Sequence, residues 1–352
     1  MKLSEVIPGW PPVWTRRYVY FSVQDGEVQM SQLFADFLLL LVTIVWGSTF
    51  VLVKNTVSSM GPLTFIAVRF FIGGMALLVW YGGSRLFSSS RAVPRMSGVE
   101  GDPEETFLSA KRLGRGAFLT GFALFFAYVT QTLGLMTIPA GRAAFITGLS
   151  VVIVPLASNF MFRASPDKFA VVGVSLATVG LGFMSLEFPF RVAAGDLLVF
   201  LCALGFAAHI LLVDSYSKGN DPVLFAAVQL LVVSGGSFAT AVFLERPLYV
   251  PPAAWGTIVF TALLATSFTF LTQSAVQRYT SATHTALIFS AEPVFGAVFA
   301  WLLAGEVLSL REIVGAGLIL AGMLVSELGP VLSRGPDREV MKERGKASGS
   351  IG

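Results

Sequence analysis

The sequence predicts an all-α polytopic membrane protein, ten transmembrane helices arranged as two inverted five-helix repeats. Three observations carry that prediction. Of the 352 residues, 55% are hydrophobic and 13% charged, where a soluble domain averages about 25% charged. That much apolar surface needs lipid as its solvent. Ten apolar runs of membrane-crossing length follow one another, and the chain resembles itself at a fixed offset.

The runs lie at 34–53, 62–81, 117–136, 141–161, 169–187, 196–214, 223–243, 255–275, 283–303 and 310–328. Each is close to the roughly 20 residues that cross the hydrocarbon core at about 1.5 Å per residue. Most are separated by short polar or Gly- and Pro-containing turns, and none alternates like a barrel strand. Ahead of them, residues 1–33 read as a cytoplasmic arm. Its "MKLSEVIPGWPPVWTRRYVYFSVQDGEVQ" lacks the apolar core of a signal peptide. Met30 would be an ordinary start for a membrane protein, so residues 1–29 read as a loose arm or a mis-called start. Residues 82–116 form a polar, basic loop that needs no fold of its own and suits the anionic inner leaflet. Residues 329–352 form a basic cytoplasmic tail. The single cysteine, Cys202, lies in an apolar run and reads as small filler.

Basic residues orient the bundle. With the N-terminus inside, 18 of the 24 Lys and Arg fall in cytoplasmic segments and 5 in outer loops, Arg69 being the one within a helix. That bias favours both termini inside. The slight basic balance therefore reflects topology, and no nucleic-acid partner is expected.

The repeat becomes visible when residues 119–185 are set on 261–327, which gives 12 identities in 67 positions without a gap. Thr130/Thr272, Gln131/Gln273, Ala140/Ala282, Gly173/Gly315 and Gly180/Gly322 coincide. A second offset sets 35–78 on 195–238, matching Asp36/Asp196, Pro62/Pro222 and Phe65/Phe225. The copies are taken as 34–187 and 195–328. Five helices per copy force the second into the membrane upside down, the architecture of alternating-access transporters with a midplane site.

Particular segments are also familiar. "ADFLLLLVTIVWGSTFVLVK", "GPLTFIAVRFFIGGMALL" and "SAEPVFGAVFAWLLAGEVLSLREIVGAGLILAGMLVSEL" resemble EamA-type members of the drug/metabolite transporter superfamily, over roughly 34–328. The resemblance implies secondary active transport, commonly export of amino acids, other metabolites or drugs across the bacterial inner membrane. It names no solute. The acidic residue often found at the first-repeat turn is absent from "FRA" at Phe162–Ala164, whereas the second copy has "AGE" at Ala304–Glu306.

Candidate site residues are the polar groups within apolar runs, where a charge costs about 2.5–3.5 kcal/mol even on the lenient insertion scale. Glu292, followed by Pro293, aligns with Ser150 followed by Val151. It reads either as a cavity carboxylate for a proton or a substrate ammonium, or as one half of a fixed bridge to Arg69 or His284. Pro293 is expected to free the Phe289 carbonyl. Arg69, aligned with Gln229, suits a substrate carboxylate or an internal partner. His284, aligned with Arg142, falls at the opposite mouth from it and suits a gate. His209 is aligned with Thr49. Two lone histidines are too few for a metal site, and none is expected. Gln131 and Gln273 suit helix contacts or the pathway. Trp46, Tyr128, Phe145 and Phe289 suit stacking or packing. Asp36 and Asp196 read as helix caps, and the glycines as close helix crossings.

These readings converge on an inner-membrane exporter of a small solute. Its cavity is expected from helices 1, 3, 4, 6, 8 and 9, opened by rocking the halves, with proton coupling resting on Glu292. Lipid and solute are its partners, and a homodimer is admitted. No cofactor is expected, and no nucleotide-binding loop is present. A membrane-embedded enzyme acting on a lipid-linked substrate, and a passive facilitator, stand as alternatives.

Overall fold

The computed structural model describes residues 21–24, 27–57, 59–88, 103–138, 140–162, 166–185, 193–305 and 307–332. Among them, ten helices are long and apolar enough to cross a membrane. In chain order the spans are Gln32–Val57, Pro62–Ser88, Pro103–Leu135, a fourth in two pieces (Ala140–Gly148 and Ser150–Phe162), Lys168–Ser185, Ala194–Tyr216, Pro222–Leu244, an eighth running from Trp255 to Tyr279, a ninth in two pieces (Ala282–Phe289 and Glu292–Ala304) and Leu310–Leu332. Large apolar side chains such as Phe160, Phe243 and Val79 are 90, 80 and 69% exposed, the outward-facing surface that lipid covers.

Two expectations are corrected outside the spans. The third helix begins at Pro103, so the second half of the 82–116 loop is helical. Leu113 within it packs against a buried cluster of Ala117, Val213 and Phe225, and this apolar anchoring extends the helix beyond the hydrocarbon-length run. The supposedly loose arm holds a two-stranded antiparallel hairpin, Phe21–Gln24 with Glu27–Met30. Residues 1–20, 89–102, 333–352 and Glu306 lie outside the described residues.

Helix starts leave amide donors without intrahelical partners, and this chain meets the demand in different ways. Span 7 is capped locally, the Asp221 carboxylate accepting from the amides of Val223 at 2.9 Å and Leu224 at 3.1 Å. Asp196 caps span 6 by accepting from the amide of Ala193. Asp36 does not cap. It lies inside the first helix, 5% exposed, and Ser31 takes the terminal role by accepting from Phe34 at 3.3 Å.

The most extensive helix pairings join one copy to the other: span 5 with 10, 2 with 7, 3 with 6 and 7, and 1 with the second half of 9. The copies are therefore interleaved. Two apolar cores result. One is built from spans 2, 3, 7 and 8, with Phe70, Leu124, Leu230 and Phe270 at its centre. The other is built from spans 4, 5, 9 and 10, with Val151, Leu181, Leu287 and Ile319. Within the second, spans 5 and 10 cross backbone to backbone. A Cβ at Gly180 would stand 2.5 Å from the Gly315 carbonyl oxygen, and one at Gly173 2.6 Å from that of Gly322. Only glycine permits that approach.

Candidate functional site

The discontinuities in spans 4 and 9 fall at equivalent points. The second piece starts at Ser150 in one copy and at Glu292 in the other, the pair matched by the repeat. The first copy breaks there with valine in place of Pro293, so the proline is not what interrupts the helix. Leu149 and Ala291 occupy the joints. Beyond them each chain resumes helical bonding, Ile153 donating to Leu149 and Phe295 to Ala291. Glu292 therefore stands at a helix start, where the amide dipoles favour negative charge.

An aromatic group contributed by spans 1, 2, 3, 6, 8 and 9 is built onto the first core, whose Phe70 and Phe270 it includes. Trp46 lies edge-on to Phe289 at 4.9 Å and tilted to Phe270 at 5.6 Å; Phe70 meets Tyr128 at 5.0 Å and Phe270 at 5.9 Å; Tyr128 meets Phe206 at 5.6 Å. The group carries the repeat symmetry. Trp46 is equivalent to Phe206 and Tyr128 to Phe270, so Trp46–Phe270 and Tyr128–Phe206 are the same contact made twice. The inverted repeat thus relates one contact to the other, and carriers of this architecture hold their solute near the midplane where the halves meet.

Span 8 supplies the polar frame. Its Leu263–Phe268 segment forms a π-helical turn, a geometry that shifts carbonyls out of the regular ladder and recurs at functional sites. The Ala265 carbonyl oxygen accepts from Trp46 Nε1 and from Arg69 Nη2, both at 3.0 Å. The Thr266 hydroxyl accepts from Arg69 Nε at 2.6 Å, and that of Thr269 from Trp46 Nε1 at 3.2 Å. Arg69 is thus fixed by neutral groups.

Glu292 has neither an ion pair nor a hydrogen bond among the described residues, although Arg69 lies near enough for the two charges to act on one another. The expected fixed bridges are not made. Arg69 bonds span 8, and His284 lies far along its own helix at the bundle's end. There His284 Nδ1 stands 3.0 Å from Glu327 Oε1 and 4.0 Å from Asp36 Oδ2. Arg142, its repeat equivalent, pairs with Asp196 at the other end.

The remaining candidates divide. His209 Nε2 faces Gln229 Oε1 at 3.0 Å, and Gln229 donates on to Ser274 at 3.0 Å; the imidazole also lies 5.9 Å from Phe270. Gln131 reaches Thr147 at 3.3 Å, whose hydroxyl is 3.8 Å from Cys202 Sγ. Gln273 donates to Gln277 at 2.9 Å, away from its counterpart, and Thr49 turns back on the Trp46 carbonyl of its own helix. The structure thus gathers Arg69, Trp46, Tyr128, His209 and Glu292 around the centre and leaves His284, Gln131, Gln273 and Thr49 outside it. Phe145 packs with the second core. Phe70, Phe206, Phe270, Ala265 and Thr266 were not singled out in the sequence. The repeat offsets carry the signal for Phe206 and Phe270, as equivalents of two residues that were.

The EamA-like transporter family model matches residues 33–186 and 193–328. An "uncharacterized transporter" of Archaeoglobus fulgidus is 32% identical over 88% of this chain and 91% of its own length. The Bacillus subtilis "uncharacterized transporter YoaV" is 23% identical over 81% and 94%. A solved crystal structure, titled only as that of a protein, superposes with a TM-score of 0.66 at 17% identity. It covers 84% of this chain and 98% of that one, which speaks to the fold alone.

Proposed function

The chain belongs to the EamA-like transporter family, and on that premise we propose that it is a secondary transporter exporting a small solute by alternating access. One observation carries the reading. Glu292 is a membrane-embedded carboxylate at the joint of a broken span, beside the aromatic group, with no hydrogen bond or ion pair among the described residues. Such a charge is costly in hydrocarbon and is relieved by a guest, either a proton or the cationic group of a solute. The rings beside it suit the apolar body of that solute and attract cations through their faces. The solute class favoured is an amine or amino acid with an apolar or aromatic part.

Coupling follows from competition for one carboxylate. A proton arriving from the outer side displaces the cationic solute, and release of that proton inside restores the site, giving proton–solute antiport. The two apolar cores make better moving units than the two sequence copies, because the copies interleave. Arg142–Asp196 joins spans 4 and 6 at one end, and His284 with Asp36 joins spans 9 and 1 at the other. Each contact ties a helix of the second core to a span, 6 or 1, that belongs to neither core, so each suits a gate. The excess of Lys and Arg in the cytoplasmic segments supports both termini inside the plasma membrane.

Purified protein in liposomes under an imposed pH gradient tests this. Wild type concentrates an apolar amine or amino acid, and Glu292→Gln lowers its uptake by at least about tenfold, the loss of roughly 1.4 kcal/mol of binding. Equal transport by E292Q removes Glu292 from the mechanism. Transport indifferent to the gradient removes proton coupling, unsaturable flux marks a passive pore, and chemical conversion of a lipid by the purified protein overturns transport in favour of an enzyme.

A further inference from the structure

Asp36, His284 and Glu327, from spans 1, 9 and 10, bring one imidazole nitrogen and two carboxylates to one end of the bundle, their ligand atoms all within 4.8 Å of one another. Asp36 and His284 are 5 and 7% exposed. Neither oxygen of Asp36 makes a hydrogen bond, and neither does the hydroxyl of Thr280, which is near enough to act on that carboxyl and is 8% exposed. Gln32 adds an amide 2.8 Å from His284 Nδ1. A cavity of about 520 Å³ lined by Gln32, Thr280, His284, Asp167 and Asp214 adjoins the cluster.

The inverted copy says what is missing. Asp196, equivalent to Asp36, is held by the guanidinium of Arg142, equivalent to His284, and by the Ala193 amide. One end therefore supplies its own permanent cation, with both contacts made to Asp196 Oδ2 and none to Oδ1 among the described residues, whereas the other offers two carboxylates and a single imidazole. Among the described residues, both oxygens of Asp36 are left without a hydrogen-bond partner. A divalent ion would take the two carboxylates and the imidazole together and use the free oxygens of Asp36.

We propose that Asp36, His284 and Glu327 form a binding site for a divalent transition-metal ion such as Zn²⁺, Mn²⁺ or Co²⁺, open to the adjoining cavity. A mixed imidazole and carboxylate donor set suits these metals. Ligands about 2.0–2.2 Å from a tetrahedral ion stand roughly 3.4 Å apart. The 3.0 and 4.0 Å separations at His284 bracket that value and the third lies within 4.8 Å, so closure takes no more than about 1.4 Å. Thr280 is placed to complete the shell, as is Gln32 once its amide is turned to present Oε1 in place of Nε2. The bound ion ties span 1 of the first copy to spans 9 and 10 of the second. Given the alternating-access reading above, it would hold this end of the pathway shut as Arg142 and Asp196 hold the other.

The test is equilibrium binding, which needs no transport. Full-length protein with its affinity tag removed is stripped with chelator and titrated with Zn²⁺ by calorimetry and with Co²⁺ by visible absorption. One saturable site per chain is expected, with the intense d–d bands of a low-symmetry Co²⁺ complex. Asp36→Asn, His284→Gln and Glu327→Gln each weaken it by at least about tenfold, while Arg142→Gln leaves it unchanged. Size-exclusion profiles matching wild type show that the variants are folded. Glu327, only part-buried, is the substitution least disturbing to packing. Absence of saturable binding, or binding that all three variants retain, overturns the proposal. In liposomes, Zn²⁺ on the side facing this end slows wild-type turnover and leaves Glu327→Gln unaffected. Its failure to do so with binding intact overturns only the locking role.

Discussion

The two copies of the repeat meet the same structural demands with different residues. The amides of Leu63 and Thr64 at the start of span 2 are equivalent to those of Val223 and Leu224 in span 7. Asp221 caps the second pair from its own turn, but its counterpart in the first copy is Gly61. There the cap comes from far along the chain: Glu245 accepts from Leu63 at 2.7 Å and from Thr64 at 2.8 Å. The same holds at the ends, where Arg142 answers Asp196 and His284 stands in its place beside Asp36. Only the crossing of spans 5 and 10 is filled identically, with glycine at all four matched positions. Duplication preserves the demand, and each copy is then free to satisfy it from elsewhere.

The glycine crossing is where symmetry is strictest, so breaking it gives the largest effect. Gly180→Leu drives a side chain into the Gly315 backbone, and Gly315→Leu does the reverse, since a Cβ there would sit 2.6 Å from the Gly180 carbonyl oxygen. Overpacking of this kind costs about 1–3 kcal/mol and more where backbone must move. Both variants are expected to lower the melting temperature of the detergent-solubilised protein sharply. Gly317→Leu, on the same helix with nothing within 4 Å, should melt like wild type. A Gly180→Leu protein as stable as Gly317→Leu would show that spans 5 and 10 do not cross here.

The legibility of the chain in its sequence follows the same division. Spans are decided by hydrocarbon length and could be read off directly. So could the glycines, because an obligatory small residue leaves its mark at its own position. Arg69, Trp46, Tyr128, His209 and Glu292 stood out as polar or aromatic groups in apolar runs. Their partners did not. The Ala265 carbonyl is exposed by a π-helical turn, and no side chain announces it. Asp36 and Asp196 look alike in sequence, yet one is a cap and the other a buried carboxylate, a difference set by where the helix begins and by what the opposite copy brings alongside.

The two ends offer a second test, of intermediate size. Arg142→Gln removes the cation from Asp196, whose side chain is 10% exposed. Breaking a fully buried pair costs about 3–5 kcal/mol, and this partly exposed one should cost less. Weakening it should favour the state open at that end. Cys202, the only cysteine, is buried less than two turns along span 6 from Asp196, beside Thr147 of span 4. An impermeant maleimide should therefore label Cys202 several-fold faster in Arg142→Gln than in wild type. Unchanged labelling would mean that this pair does not hold spans 4 and 6 together.

The smallest effect belongs to the exchanged cap, and it is the most direct test of substitution between copies. Glu245→Ala leaves the amides of Leu63 and Thr64 without their acceptor and should cost about 1 kcal/mol, the usual value of a lost cap. Gly61→Asp alone should not help, because a Cβ at Gly61 runs into the Glu245 carboxylate and the two acids would repel. Combined, the substitutions should do better than either. With Glu245 removed, an aspartate at position 61 stands where Asp221 stands in the other copy, two and three residues ahead of the amides it must serve. Recovery of most of the lost melting temperature in the double variant is the expected result. A deficit equal to the sum of the single deficits would mean that Glu245 chiefly ties span 7 to span 2, a task that no local cap can perform.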